Sequence, residues 1–123
     1  MKQKVSDYIA DHIAEWGIRD VFTVTGGGAM HMNDAFGHHP KLHCTYQHHE
    51  QACAMAAEAY ARMDNRMAAV CVTTGPGATN AITGVLGGWM DSIPMLVFFR
   101  TGKICNYGCS VRAETSKHGS AGM

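Results

Sequence analysis

The fold is decided by "MAAVCVTTGPGATNAITGVLGGWMDSIPMLVFF", residues 67–99. Its first eight residues, "MAAVCVTT", form a continuous apolar run of the kind that fills a strand buried on both faces. The run breaks at Gly75-Pro76-Gly77, and Thr79 or Asn80 can cap the helix that follows. Pro94 then precedes a second apolar run, "MLVFF". Strand, helix and strand joined this tightly imply a right-handed crossover between parallel strands.

Upstream, the same alternation recurs. Val5, Tyr8, Ile9, His12, Ile13 and Trp16 repeat at helical spacing with Gly17 in the C′ position, which predicts an amphipathic helix over 4–16. A short strand "DVFTV", a glycine turn at Gly26-Gly27-Gly28, a short helix "AMHMNDAF" and a strand "LHCTY" follow. "EQACAMAAEAYARM", from Glu50 to Met63, is rich in strong helix formers, and Asp64-Asn65-Arg66 is a turn. The fold class is therefore α/β, a doubly wound parallel sheet with helices on both faces. Residues 1–99 form its core, and 100–123, polar and small without a clear period, read as an irregular tail.

The remaining composition narrows the function. Ten Lys plus Arg balance ten Asp plus Glu, so the charge points to neither nucleic acid nor an anionic membrane. Five cysteines, an odd number, include Cys44, Cys53 and Cys71 inside apolar runs, which fits free thiols in a reduced cytoplasmic setting. The N-terminal residues lack the apolar stretch of a signal peptide, and no run is long enough to span a bilayer. Eight histidines include the adjacent pairs His38-His39 and His48-His49, whose side chains diverge, so no metal is assigned.

Ligands of a parallel α/β sheet bind beyond the carboxyl ends of its strands. Three segments fall there: Thr25-Gly26-Gly27-Gly28, His48-His49-Glu50 and Thr74-Gly75-Pro76-Gly77. Neither glycine turn has the Lys-Ser/Thr of a P-loop or a complete dinucleotide fingerprint, and Pro76 removes a backbone donor, so a tight strand-to-helix turn is favoured over phosphate binding. Gly84, Gly87 and Gly88 in one helix cost about 1 kcal/mol each against alanine. Either this helix packs very closely on a neighbour, across a subunit interface in one version, or it is simply weak. Glu50 has two readings: a carboxylate favoured by the dipole at a helix start, or an acid whose pKa is raised by desolvation and which exchanges a proton with a ligand nitrogen. The residues alone favour the first.

"YQHHEQACAMAAEAYARM", "VTTGPGATNAITGVLGGWMDSIPMLV" and "VFTVTGGGAM" together resemble the N-terminal pyrimidine-binding (PYR) domain of thiamine-diphosphate-dependent enzymes, in the acetolactate synthase-like branch. The resemblance runs from Val5 to about Phe99. It implies that Glu50 hydrogen-bonds N1′ of the cofactor's aminopyrimidine and promotes the tautomer that activates the thiazolium. It further implies that Thr25 and Gly26 form one wall of the cofactor site, and Gly75, Pro76, Gly77 and Asn80 the other. Thr25 stands where acetolactate synthases usually have proline, and past Phe99 the likeness decays.

The function so implied is the N-terminal part of an enzyme joining or cleaving 2-oxo acids, inactive as this chain alone. Mg²⁺ would be held by a C-terminal domain absent from the chain, and a flavin would belong to that absent region as well, no residue here pointing to one. A homodimer, a homotetramer or a complementary C-terminal subunit would complete the site, with the glycine-bearing helix near the interface. Two other readings compete: a non-catalytic stub or subunit-interaction module that keeps only the fold, and a cofactor-independent α/β binding module, which would need no acid at residue 50.

Overall fold

The computed structural model describes residues 3–100 and the backbone of Val111–Thr115. The elements run α1 (Val5–Glu15), β1 (Asp20–Thr23), α2 (Met30–His38), β2 (His43–Tyr46), α3 (Glu50–Asp64), β3 (Ala68–Val72), α4 (Pro76–Met90), β4 (Met95–Arg100) and β5 (Val111–Thr115). They build a five-stranded sheet in the order β2-β1-β3-β4-β5. β2, β1, β3 and β4 are mutually parallel. Chain order reverses direction across the sheet between β1 and β3, which makes that junction the topological switch point.

Strand alternation sorts the core into two layers. Ala69 and Cys71 of β3, with Leu96 and Phe98 of β4, face the cluster that contains Ala10 and Ile13 of α1 and Phe36 of α2. Ala68, Val70 and Val72, with Met95 and Val97, face the cluster that contains Cys53, Ala54 and Ala57 of α3 and Ala81 of α4. All five residues of β3 are buried, because helices cover both sides of it. That is the physical cause of its unbroken apolar run.

Two expectations change. α4 begins at Pro76, not after a cap at Thr79 or Asn80: Gly75 occupies the N-cap position at φ 62°, ψ −122°, and Pro76 takes the first turn, where its missing N–H costs nothing. Thr79 and Asn80 are thereby interior helix residues, free to point their side chains elsewhere. Within the tail expected to be irregular, Val111–Thr115 forms an edge strand antiparallel to β4, with Ala113 opposite Phe98.

The glycines of α4 resolve in favour of close packing, and the neighbour is within the chain. A Cβ on Gly84 would lie 2.6 Å from the Ala54 Cβ and 2.9 Å from the Met55 backbone nitrogen, so α3 and α4 touch backbone to side chain. The opposite face of α4 is left open, with Ile82, Leu86, Trp89 and Met90 all more than half exposed. At the far end of α3, Arg62 ties the pair together by bonding both Glu58 and Asp91. Among the described residues no helix is long and apolar enough to cross a membrane.

Candidate cofactor site

The loops that follow β1 and β3 meet at the switch point, and the start of α3 faces them. Beneath them, the buried Thr23 hydroxyl donates to the Cys71 carbonyl at 2.7 Å, which locks the ends of β1 and β3 together. Thr73, the first residue beyond β3, stands between the two loops. Its Oγ1 accepts a hydrogen bond from the Gly28 amide at 3.1 Å. A Cβ on Gly26 would lie 2.6 Å from the Thr73 Cβ, and one on Gly77 would lie 2.7 Å from the Thr73 Cγ2. These glycines are required by close approach, which is a stronger reason than turn propensity.

Glu50 is the first residue of α3. His49 precedes it as the N-cap, its Nδ1 accepting from the Gln51 amide at 3.1 Å, which gives this histidine a structural task. The Asn80 side-chain amide, one turn into α4, donates to Glu50 Oε2 at 3.0 Å. The other oxygen, Oε1, lies 3.2 Å from where a Gly77 Cβ would be. α4's early start is what makes this possible, since it places Gly77 and Asn80 on one side of the helix, toward α3.

Of the residues expected at a site, the structure gathers Gly26, Glu50 and Asn80 around Thr73 and Gly77. Thr25, Gly75 and Pro76 are exposed on the adjoining loops, where Gly75 and Pro76 act through the backbone by turning the chain into α4. Thr73 joins the site although the sequence reading did not single it out, while Gly28 and Gly77 belong to the segments expected there. A signal for Thr73 existed: a β-branched hydroxyl ends a fully apolar strand just before a glycine turn, where a side chain has a partner only in a neighbouring loop.

The chain's similarity to known proteins bears directly on this crevice. The profile of the family described as "Thiamine pyrophosphate enzyme, N-terminal TPP binding domain" matches residues 3–108. The chain belongs to this family. Among curated relatives, the acetolactate synthase large subunit of Lactococcus lactis subsp. lactis is 35% identical over 99 residues, covering 80% of this chain and 17% of that protein. Acetolactate synthase 2, chloroplastic, of Zea mays is 36% identical over 102 residues, covering 83% of this chain and 16% of that protein. The Buchnera aphidicola subsp. Schizaphis graminum acetolactate synthase large subunit reaches 43% identity over 81 residues, covering 66% of this chain. The chain thus spans about one sixth of the length of these relatives.

Gly26, Gly28 and Gly77 present backbone instead of side chains here, and Glu50 presents a carboxylate held by Asn80. Among the described residues no group of three His, Cys, Asp or Glu is placed to hold a metal ion.

The upward shift of the Glu50 pKa that the second reading called for is not found in this chain. The hydrogen bond from Asn80 holds its carboxyl below the usual value; desolvation opposes this, and Glu50's own backbone and the nearby His49 lower it further. The reason is geometric: Glu50 is only half-buried, so the desolvation penalty is outweighed by the Asn80 bond to the anion. A folded pKa below the unfolded one, about 4.3, stabilises the fold above that value and loses the contribution as pH falls through the folded pKa. Removing the donor with Asn80→Ala should therefore flatten the acid limb of the stability curve. Urea unfolding at a series of pH values from about 3 to 6 reads this; an unchanged slope would show that Asn80 does not hold the carboxylate.

Proposed function

We propose that this chain is the pyrimidine-binding part of an acetolactate synthase-like enzyme acting on 2-oxo acids, in which Glu50 exchanges a proton with N1′ of the cofactor's aminopyrimidine. The observation that carries the reading is the Glu50 carboxylate fixed by Asn80 at the switch point, with its second oxygen beside the bare backbone of Gly77. Gly26 with Thr25 forms one wall and Gly75, Pro76 and Asn80 the other. When bound, thiamine diphosphate supplies the nucleophilic carbon that adds to a 2-oxo acid carbonyl.

Glu50's task is to hold a proton at one nitrogen and give it up again. An acid does this best when its pKa lies near the working pH. Covering the open side of the crevice removes water from the carboxylate and moves its pKa upward toward that range. The covering surface is supplied by a second chain or by sequence outside this one, where the diphosphate and Mg²⁺ would also be held. α4 offers a surface for such a partner, because Ile82, Leu86, Trp89 and Met90 form one exposed apolar face. A homodimer, a homotetramer or a complementary C-terminal subunit each satisfies it.

A cytoplasmic setting agrees with the cysteines. Burial pushes the Cys53 thiol up to about 11 and the Cys71 thiol up to about 12, so both are protonated packing groups at neutral pH and not reactive thiolates.

The test is calorimetric titration of thiamine diphosphate with Mg²⁺ into this chain, and then into its mixture with the pyrophosphate-binding half of an acetolactate synthase. Heat of binding in the mixture only, weakened by Glu50→Gln, is the expected result. Folded components that bind nothing together would overturn the reading in favour of a chain that keeps the fold alone.

A further inference from the structure

We propose that Thr73 is a positioning residue whose two branches set the spacing between the walls of the crevice, the hydroxyl holding loop 26–28 and the methyl seating Gly77 beside Glu50. The inference rests on the reading of this crevice as the pyrimidine site, and adds to it a residue that touches neither reacting atoms nor the Glu50–Asn80 pair.

The two branches have different neighbours. Oγ1 accepts the Gly28 amide at 3.1 Å, and it is the atom 2.9 Å from a Cβ built on Gly28. Cγ2 is the atom 2.7 Å from a Cβ built on Gly77, whose next neighbour is Glu50 Oε1 at 3.2 Å. The Thr73 Cβ itself fills the space where a Gly26 side chain would begin, at 2.6 Å. A β-branched side chain at the end of a strand has few χ1 choices, so both contacts are set by one rotamer. Loop 26–28 therefore cannot move relative to Gly77 without breaking a hydrogen bond or a packed contact. The distance across the crevice, from Gly26 to the Glu50 carboxylate, is set by the width of one threonine.

Serine and valine separate the branches, since serine keeps the hydroxyl and valine keeps the shape. In this chain labelled with ¹⁵N, Thr73→Val should speed exchange of the Gly28 amide by about tenfold relative to β3 amides, the effect of losing one hydrogen bond. Thr73→Ser should leave it protected. The methyl is read through Gly77→Ala, which should lower Tm and raise the pH midpoint of the Glu50 carboxyl, followed by ¹³C NMR, as the new Cβ pushes Oε1 away and weakens the Asn80 bond. Combining Gly77→Ala with Thr73→Ser frees the methyl's space and should restore both Tm and midpoint, whereas Thr73→Val should restore neither.

Unchanged Gly28 exchange in Thr73→Val, or equal rescue of Gly77→Ala by serine and valine, would overturn the proposal. None of these readouts needs a cofactor. If the branch-specific pattern holds while thiamine diphosphate fails to bind in the mixture, the positioning role stands and the cofactor reading alone falls.

Discussion

Gly84→Ala is expected to destabilise the chain by about 2–3 kcal/mol, although alanine is the better helix former by about 1 kcal/mol. The added Cβ would meet the Ala54 Cβ at 2.6 Å, the Met55 backbone nitrogen at 2.9 Å and the Ala54 carbonyl carbon at 3.1 Å. Two of these are backbone atoms of a neighbouring helix, so no rotamer change relieves the clash and α3 must move off α4. That movement would loosen the packing of Cys53, Ala54 and Ala57 against Val70 and Val72. For a domain of this size the loss corresponds to about 8–15 °C in Tm. Gly87→Ala is the control: its Cβ would meet only the Glu58 carboxylate, at 3.1 Å, the far end of a flexible side chain. It should be within about 1 kcal/mol of wild type, helped by propensity. Thermal unfolding followed by circular dichroism reads both. Equal Tm values for the two variants would show that α3 and α4 do not pack this closely at Gly84.

The fold was legible where burial alone dictates residue type. β3 has helices on both faces, so every position had to be apolar, and the run from Met67 could be read without knowing its neighbours. α3 declared itself by its alanines, which are also what lets α4 approach it. Asn65 at φ 51° ends α3 where the Asp64-Asn65-Arg66 turn was expected, and Gly17 at φ 85° follows α1 as its position implied. Less legible was the start of α4. Capping preference pointed to Thr79 or Asn80, but the turn geometry of Gly75 allows the helix to begin without a side-chain cap. Edge strand β5 escaped because a backbone ladder to β4 leaves little trace in five residues of mixed character.

The candidate site was partly legible for a related reason. Glu50 and Asn80 lie in separate helices 30 residues apart, and nothing local tells that one amide reaches the other's carboxylate. Resemblance to a family placed both at a ligand, whereas the residues by themselves favoured a simple helix-start acid. The helix-start description holds, since Glu50 is the first residue of α3, and from there its carboxylate reaches Asn80 of α4. Thr73 was hidden because its importance lies in what its neighbours lack. Two glycines of the loop after β1 and one in the first turn of α4 converge on it, and convergence is a property of topology that spacing along a chain does not carry.

In an enzyme assembled around this domain, Glu50→Gln is expected to reduce turnover by 10²–10⁴-fold, the usual contribution of a positioned acid or base, while leaving the domain folded. Glutamine keeps the length of the side chain and an oxygen that can accept from Asn80, so the wall of the crevice persists. Only the anion at the α3 N-terminus is lost, a change worth about 0.3–1 kcal/mol. The two effects separate chemistry from structure: a large fall in kcat with Tm shifted by a few degrees at most. The pH profile adds a second discriminator. In the free chain the Glu50 pKa is lowered, chiefly by Asn80, so the carboxylate is fully ionised at neutral pH. In the assembled site, desolvation must raise it for proton exchange to be efficient, and the acid limb of kcat/KM should therefore lie above the carboxyl midpoint measured by NMR in this chain. Hydrogen–deuterium exchange at the cofactor's thiazolium C2, together with steady-state turnover of a 2-oxo acid, measures the loss. A Glu50→Gln enzyme within tenfold of wild type would mean that the carboxylate at the switch point only starts a helix, and that proton transfer to the cofactor, if it occurs, is handled by another group.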